Sequence, residues 1–218
     1  MAIKAVFWDF GGVITSSPFE AFRRFEEEHG LPRDFLRSVN ATNPDNNAWA
    51  RFERSELTLE EFDREFEAET AAAGHPVPGR KVIALLGGDV RPEMVRALEL
   101  IRTRFRIACI TNNVRAGKGA GMHTDAERAA RIGEILALFE RVFESSKLGM
   151  RKPDPRIYLH ACEQMGVAPE EVVYLDDLGI NLKPARELGM TTIKVVEPRA
   201  ALEELGTVLG MPLLAETA

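Results

Sequence analysis

Four short clusters in this chain carry residue types that can do acid, charge and metal chemistry together: Asp9, Thr111-Asn112, Lys152 and Asp176-Asp177. The carboxylates set the terms. Three of them in one crevice repel one another, and a hard divalent cation relieves that repulsion. Mg²⁺ takes oxygen ligands, keeps several waters, and is usually held by one or two carboxylates plus a substrate phosphate. A carboxylate beside such an ion is a nucleophile toward phosphorus and forms an aspartyl-phosphate. Lys152 supplies a compact positive charge against nucleophile and phosphoryl oxygens. The side chains of Thr111 and Asn112, with nearby main-chain N–H groups, can hydrogen-bond those oxygens. Each cluster alone has a plainer explanation: a turn or helix cap for Asp9, a loop start for Thr111-Asn112-Asn113, a solvated Lys152 before Pro153, and a charged turn for Asp176-Asp177. Their joint occurrence, in this order and at strand ends, favours the joint reading.

Those positions depend on the elements before them. Residues 3–9 read as a buried strand that ends at Asp9, where Gly11 and Gly12 turn the chain sharply. Residues 105–110 read as a strand ending at Thr111, and residues 172–175 as a strand ending at Asp176. Open α/β sheets build their ligand sites at the carboxyl ends of strands. Lys152-Pro153-Asp154-Pro155 stands before a helix, with its prolines fixing the turn. Helices are expected over residues 91–104, 155–166 and 182–188, from a Thr124-Asp125 cap to Leu138, and further strands at residues 142–143 and 191–196. Alternating β and α units mean a parallel sheet covered on both faces.

Residues 17–87 break that alternation and read as mostly helical. Ser17-Pro18-Phe19-Glu20 has the form of a capping box with proline at the first helical position, and Gly30 and Pro32 stop the run. A second helix is expected over residues 44–54. Thr58-Leu59-Glu60-Glu61 is another capping box, followed by Phe62 and Phe66 and ended by Gly74. The aromatic stripe reads as a bundle core. A glycine-rich loop over residues 114–123 contains Lys118 but lacks the phosphate-binding GxxxxGK[ST] spacing, so it reads as a solvent loop near the substrate.

Composition narrows the class. The chain has 218 residues, 45% of them hydrophobic, enough for an α/β core with a small accessory domain. A formal net charge of −6 argues against a sequence-independent nucleic-acid binder. Cys109 and Cys162 fall in apolar patterns and read as buried free thiols. No stretch approaches a membrane span, and the N-terminus lacks a signal-peptide pattern, so the expected location is cytoplasmic. Nothing in the sequence decides the oligomeric state.

Four segments then stand out together: WDFGGVIT, CITNN, KLGMRKPDPRIY and VVYLDDLGINLKPARELGM. In this order they resemble the four motifs of the haloacid dehalogenase superfamily of hydrolases. The fourth segment, and AWARFERSELTLEEF from Ala48 to Phe62, look especially similar to the N-terminal phosphatase domain of soluble epoxide hydrolases. The resemblance implies a Rossmann-like parallel sheet core over residues 1–16 and 89–218, with an inserted helical cap over residues 17–88. It implies a Mg²⁺-dependent phosphatase acting on a small phosphorylated metabolite. In that pattern Asp9 matches the nucleophile and a metal ligand, and the carbonyl of Gly11 a second ligand. Thr111 and Asn112 match phosphate binders, and Lys152 the charge-neutralising lysine. Asp177 matches a direct metal ligand and Asp176 its neighbour acting through water.

One residue departs from the pattern. Most phosphatases of this superfamily carry a second aspartate where this chain has Gly11, and that aspartate protonates the leaving oxygen. Gly11 keeps a carbonyl for the metal but has no side chain for the proton. His123 and His160 are substitutes by residue type alone, and read as surface or packing residues. The gap keeps two alternatives open: a metal-independent dehalogenase acting on 2-haloacids, whose halide leaves without a proton, and a non-catalytic relative that binds a phosphorylated ligand.

Overall fold

The computed structural model describes residues 2–114 and 126–214. The chain enters through β1 (Ala5–Trp8), whose apolar residues are all buried. It then builds a helical lobe from α1 (Pro18–Glu28), α2 (Phe35–Ala41), α3 (Ala48–Glu53), α4 (Leu59–Ala72) and α5 (Gly79–Ile83). It returns through α6 (Pro92–Ile101), β2 (Arg106–Thr111), α7 (Ala126–Leu136), β3 (Arg141–Glu144), α8 (Ser145–Leu148) and α9 (Pro155–Met165). β4 (Val172–Asp176), α10 (Gly179–Glu187), β5 (Thr191–Lys194) and α11 (Pro198–Leu209) complete it. The strands form one parallel sheet in the order β3-β2-β1-β4-β5.

The sheet is buried on both faces because its strand residues alternate between two apolar clusters. Val6, Trp8, Ile107, Cys109, Val173 and Leu175 pack on one side with α6, α7 and α11. Ala5, Phe7, Ala108, Ile110, Val172 and Tyr174 pack on the other with α9 and α10. Register brings the strand ends level: Trp8 lies opposite Cys109 on one side and Leu175 on the other. Asp9, the next residue, therefore leaves the central strand level with Ile110, which precedes Thr111, on one side and Asp176 on the other.

The helical lobe has a core of its own, including Phe22, Phe35, Phe52, Phe62, Phe66, Val82 and Leu86, as the aromatic stripe predicts. Two adjacent chain crossings join it to the sheet domain, pinned by an antiparallel bridge from Thr15 to Val90 and by Arg91 N–H donating to Ile14 O at 2.9 Å.

Several local expectations change. The Thr58 capping box forms as read, with its side chain accepting from Glu61 N and Glu61 accepting from Thr58 N. The Ser17 box does not form: Ser17 caps nothing with its hydroxyl, which instead donates to Asp177 Oδ2 at 3.1 Å. The expected helix over residues 44–54 begins only at Ala48, capped by Asn47. α2 and α11 were not anticipated. α2 begins after Asp34 in left-handed conformation, and Glu26 on α1 accepts from Asp34 N and Leu36 N, both at 2.9 Å. That explains why Glu26 is only 2% exposed. The glycine-rich loop, His123 and the Thr124-Asp125 cap lie outside the described residues.

Candidate active site

Asp9 stands at the end of the central strand, and its N–H donates to Leu175 O at 2.8 Å. Its carboxylate meets a lysine 143 positions away: Lys152 Nζ lies 2.8 Å from Asp9 Oδ1 and 2.8 Å from Asp176 Oδ2. Lys152 is 1% exposed and Asp176 0%. Asp177 completes the group, for Asp9, Asp176 and Asp177 each offer a carboxylate oxygen within 4.8 Å of the others. The strand ends thus gather the expected residues at one rim of the sheet.

The turn after Asp9 is shaped for that approach. Gly12 has φ +80°, and a Cβ there would lie 2.3 Å from Asp177 Oδ2, so only glycine lets Asp177 close on the turn. A Cβ on Gly11 would meet nothing within 4 Å. Arg91 Nη1 donates to Gly12 O at 2.7 Å and anchors the turn to the returning chain.

The two carboxylates of the Asp176-Asp177 pair do different work. Asp176 accepts from Lys152 Nζ, from the Tyr174 hydroxyl, from Asn181 Nδ2 at 3.1 Å and from Leu178 N at 2.8 Å. A buried carboxylate needs such partners to stay charged. Apart from Lys152, its donors come from its own strand and from the start of α10, so Asp176 is a fixed post that aims the lysine. Asp177 accepts from the Ser17 hydroxyl at 3.1 Å, and its own main-chain N–H also donates to its carboxylate. Asp9 Oδ2 is without a hydrogen-bond donor among the described residues.

Asn112 is also tied down. Its Oδ1 accepts from Lys152 N at 2.9 Å and its Nδ2 donates to Lys152 O at 3.0 Å. Its side chain, expected at a phosphate, holds the lysine's backbone instead. Thr111 is buried, and its hydroxyl has no partner among the described residues. His160 packs edge-on against Phe143, 5.8 Å between ring centroids, as a packing residue does.

The electrostatics follow from burial and charge. Burial pushes the Asp9 carboxyl well up, the Lys152 ammonium opposes this, and Asp176 and Asp177 add to the rise. Asp177 is pushed up to about 6, first by burial and then by Asp176. Lys152 goes the other way: burial opposes its charge, but Asp176 and Asp9 hold its pKa above the ordinary value, so it stays an ammonium. Among the described residues, Asp9 and Asp176 share one ammonium at ion-pair distance, and a third carboxylate, Asp177, has an oxygen within 4.8 Å of theirs. That deficit of positive charge, and the all-oxygen donor set, fit a hard divalent cation.

Sequence reasoning missed Ser17, Tyr174 and Asn181. Tyr174 had a signal available, since residues 174 and 176 share one face of a strand.

The fold is of the α/β class, a parallel sheet with a buried lysine–aspartate pair at the end of its central strand. A model of haloacid dehalogenase-like hydrolases matches residues 3–189, and the chain belongs to that family. It is 33% identical, over 96% of its length, to acyl-CoA dehydrogenase family member 10 of Mus musculus, covering 19% of that protein. It is 32% identical, over 96% of its length, to bifunctional epoxide hydrolase 2 of Mus musculus, covering 39% of it. The chain thus spans well under half the length of these two curated relatives. Identity to the phosphorylated carbohydrates phosphatase of Thermotoga maritima is 26%, over 88% of this chain and 84% of that one. Among solved structures, an enzyme of the family from Bacteroides thetaiotaomicron in complex with magnesium and inorganic phosphate matches with TM-score 0.56 and 21% identity, covering 88% of this chain and 94% of that one. A dehalogenase with intermediate complex matches with TM-score 0.65 and 19% identity, covering 95% and 97%. At these identities the structural likeness shows the fold. No helix among the described residues is long and apolar enough to cross a membrane.

Proposed function

We propose that this chain is a Mg²⁺-dependent phosphatase of a small phosphorylated metabolite, with Asp9 as its nucleophile. The observation that carries the reading is the Lys152 ammonium, buried and 2.8 Å from both Asp9 and Asp176. A non-catalytic ligand binder would have no use for a buried carboxylate held against a buried cation, whose desolvation is costly. The likeness to a phosphatase of phosphorylated carbohydrates supports the substrate class.

Asp9, Asp177 and the Gly11 carbonyl would hold the ion, with Asp176 behind them through water. Bound there, Mg²⁺ supplies the positive charge that three carboxylates and a phosphoryl group call for. Asp9 attacks phosphorus, the ester P–O bond breaks, and the leaving oxygen takes its proton from solvent. Water then hydrolyses the aspartyl-phosphate and frees inorganic phosphate. Lys152 and Thr111 steady the phosphoryl oxygens through both steps. With no side chain at Gly11 to give a proton, good leaving groups turn over fastest.

The helical lobe, residues 17–88, acts as a cap over the core formed by residues 1–16 and 89–218. Its separate apolar core and its paired chain crossings support that division. The test is turnover of an activated aryl phosphate with Mg²⁺. Loss of turnover in Asp9→Asn and on adding EDTA supports the reading. Halide release from 2-haloacids without metal, and no phosphate release, overturns it.

A further inference from the structure

Away from the chain crossings and the Ser17–Asp177 hydrogen bond, the helical lobe also meets the sheet domain at a stretch of chain beside Lys152. Ser55 Oγ donates to Ser146 O at 2.8 Å. Arg151 Nη1 donates to Pro44 O at 3.2 Å. Between them Arg151 Nε meets Glu53 Oε2 at 2.5 Å, and Glu53 is 7% exposed. Residues 44–55 of the lobe therefore grip residues 146–151 of the core.

The gripped stretch is also suspended from the end of β2. Ser146 N donates to Asn113 Oδ1 and Asn113 N to Ser145 Oγ, while the Asn112 side chain holds Lys152 N and O. Arg151 is the residue next to Lys152, so a shift of one moves the other. Glu53 is thus three short steps from Asp9: Glu53 to Arg151, Arg151 to Lys152 along the chain, and Lys152 Nζ to Asp9.

We propose that Glu53 is a positioning residue that couples seating of the helical lobe to the placement of Lys152 against Asp9. The proposal rests on the phosphatase reading for the roles of Lys152 and the lobe. Glu53 has a use inside its own helix, where Trp49 Nε1 donates to Oε1 at 2.9 Å. That bond needs one oxygen, and the other is spent across the lobes. Seating alone does not call for an ion pair, since an apolar pair of similar volume is often as stable. An ion pair differs in two ways: it accepts one geometry, and both partners are hydrated when the lobes part. It therefore seats the lobe in a single register and still releases it.

The test uses the full chain. Glu53→Gln keeps shape and removes charge. Hydrogen exchange is read without ligand, and turnover is read on an aryl phosphate with Mg²⁺. The coupling predicts faster exchange at Lys152 and across residues 145–154, unchanged exchange in β1 and β4, and a fall in kcat on the order of 10- to 100-fold with little change in KM. Glu53→Asp, which keeps the charge and the acceptor oxygens, loses less of both than Glu53→Gln. Arg151→Lys gives the same assay from the core side, with a smaller effect, should the Glu53 variant fold poorly. Exchange that rises within the lobe alone, with kcat intact, overturns the proposal and leaves Glu53 a packing residue. If the unaltered chain turns over no phosphate, the phosphatase reading fails. Exchange at residues 145–154 then still decides the coupling, and an unchanged pattern there ends it.

Discussion

At Gly11 the family's pattern and this chain part, and the local geometry leaves room to close the gap. A side chain there meets nothing within 4 Å of its Cβ, and Gly11 is not among the glycines with positive φ. Gly11→Asp is predicted to raise turnover of alkyl phosphates, with poor leaving groups, more than that of aryl phosphates. The ceiling is the about 10²- to 10⁴-fold that a positioned acid contributes; equal gains on both substrates would count against the account of the missing acid. Asp177 supplies a pH prediction. Its pKa rises from the ordinary 3.8 to about 6, so the folded chain holds that proton more tightly than the unfolded one. Stability from this group is present below the unfolded value and is lost as pH rises through about 6. Comparing melting temperatures of the metal-free protein and Asp177→Asn at about pH 5 and about pH 7 isolates the effect. The variant should gain on the parent at the higher pH. Mg²⁺ should stabilise the parent at the higher pH far more than at the lower, where Asp177 is protonated.

At the scale of elements, Glu26 makes the clearest claim. It satisfies two N–H groups at the start of α2, a helix of seven residues with no cap of its own. Glu26→Ala leaves both unpaired, at about 1–3 kcal/mol for a buried group. At roughly 2–4 °C per kcal/mol for a chain of this size, the melting temperature should fall by several degrees. A fall of less than a degree would show that water caps the helix as well as Glu26 does. The same contact shows what could be read from the residues beforehand. β1, β2 and β4 were legible because each is a short apolar run ending in a polar residue, and Asp9, Thr111 and Asp176 followed from those ends. α2 was not legible, since it starts from a left-handed Asp34 and is capped by a residue eight positions back on another helix. α11 carried its signals openly in Pro198, Glu197 and Gly210, and was overlooked. Ser17 had the local form of a cap, and a carboxylate 160 positions away took its hydroxyl instead. Local pattern could place Asn112 at the site, but its grip on Lys152, 40 positions on, is a tertiary contact with no local trace.

Across the whole molecule, the sheet fixes Asp9, the proposed nucleophile, β4 and α10 hold the carboxylate that pairs with Lys152, and the helical lobe contacts the loop that carries that lysine. The central claim, however, is the covalent step at Asp9, and it has a direct measurement. The Mg²⁺-loaded protein is mixed with an aryl phosphate, quenched in acid during turnover and digested, and its peptides are weighed. The account predicts one added phosphoryl group on the peptide containing Asp9, removed by hydroxylamine as an acyl phosphate must be. Release of phosphate with no adduct on that peptide, or an adduct elsewhere, would contradict it.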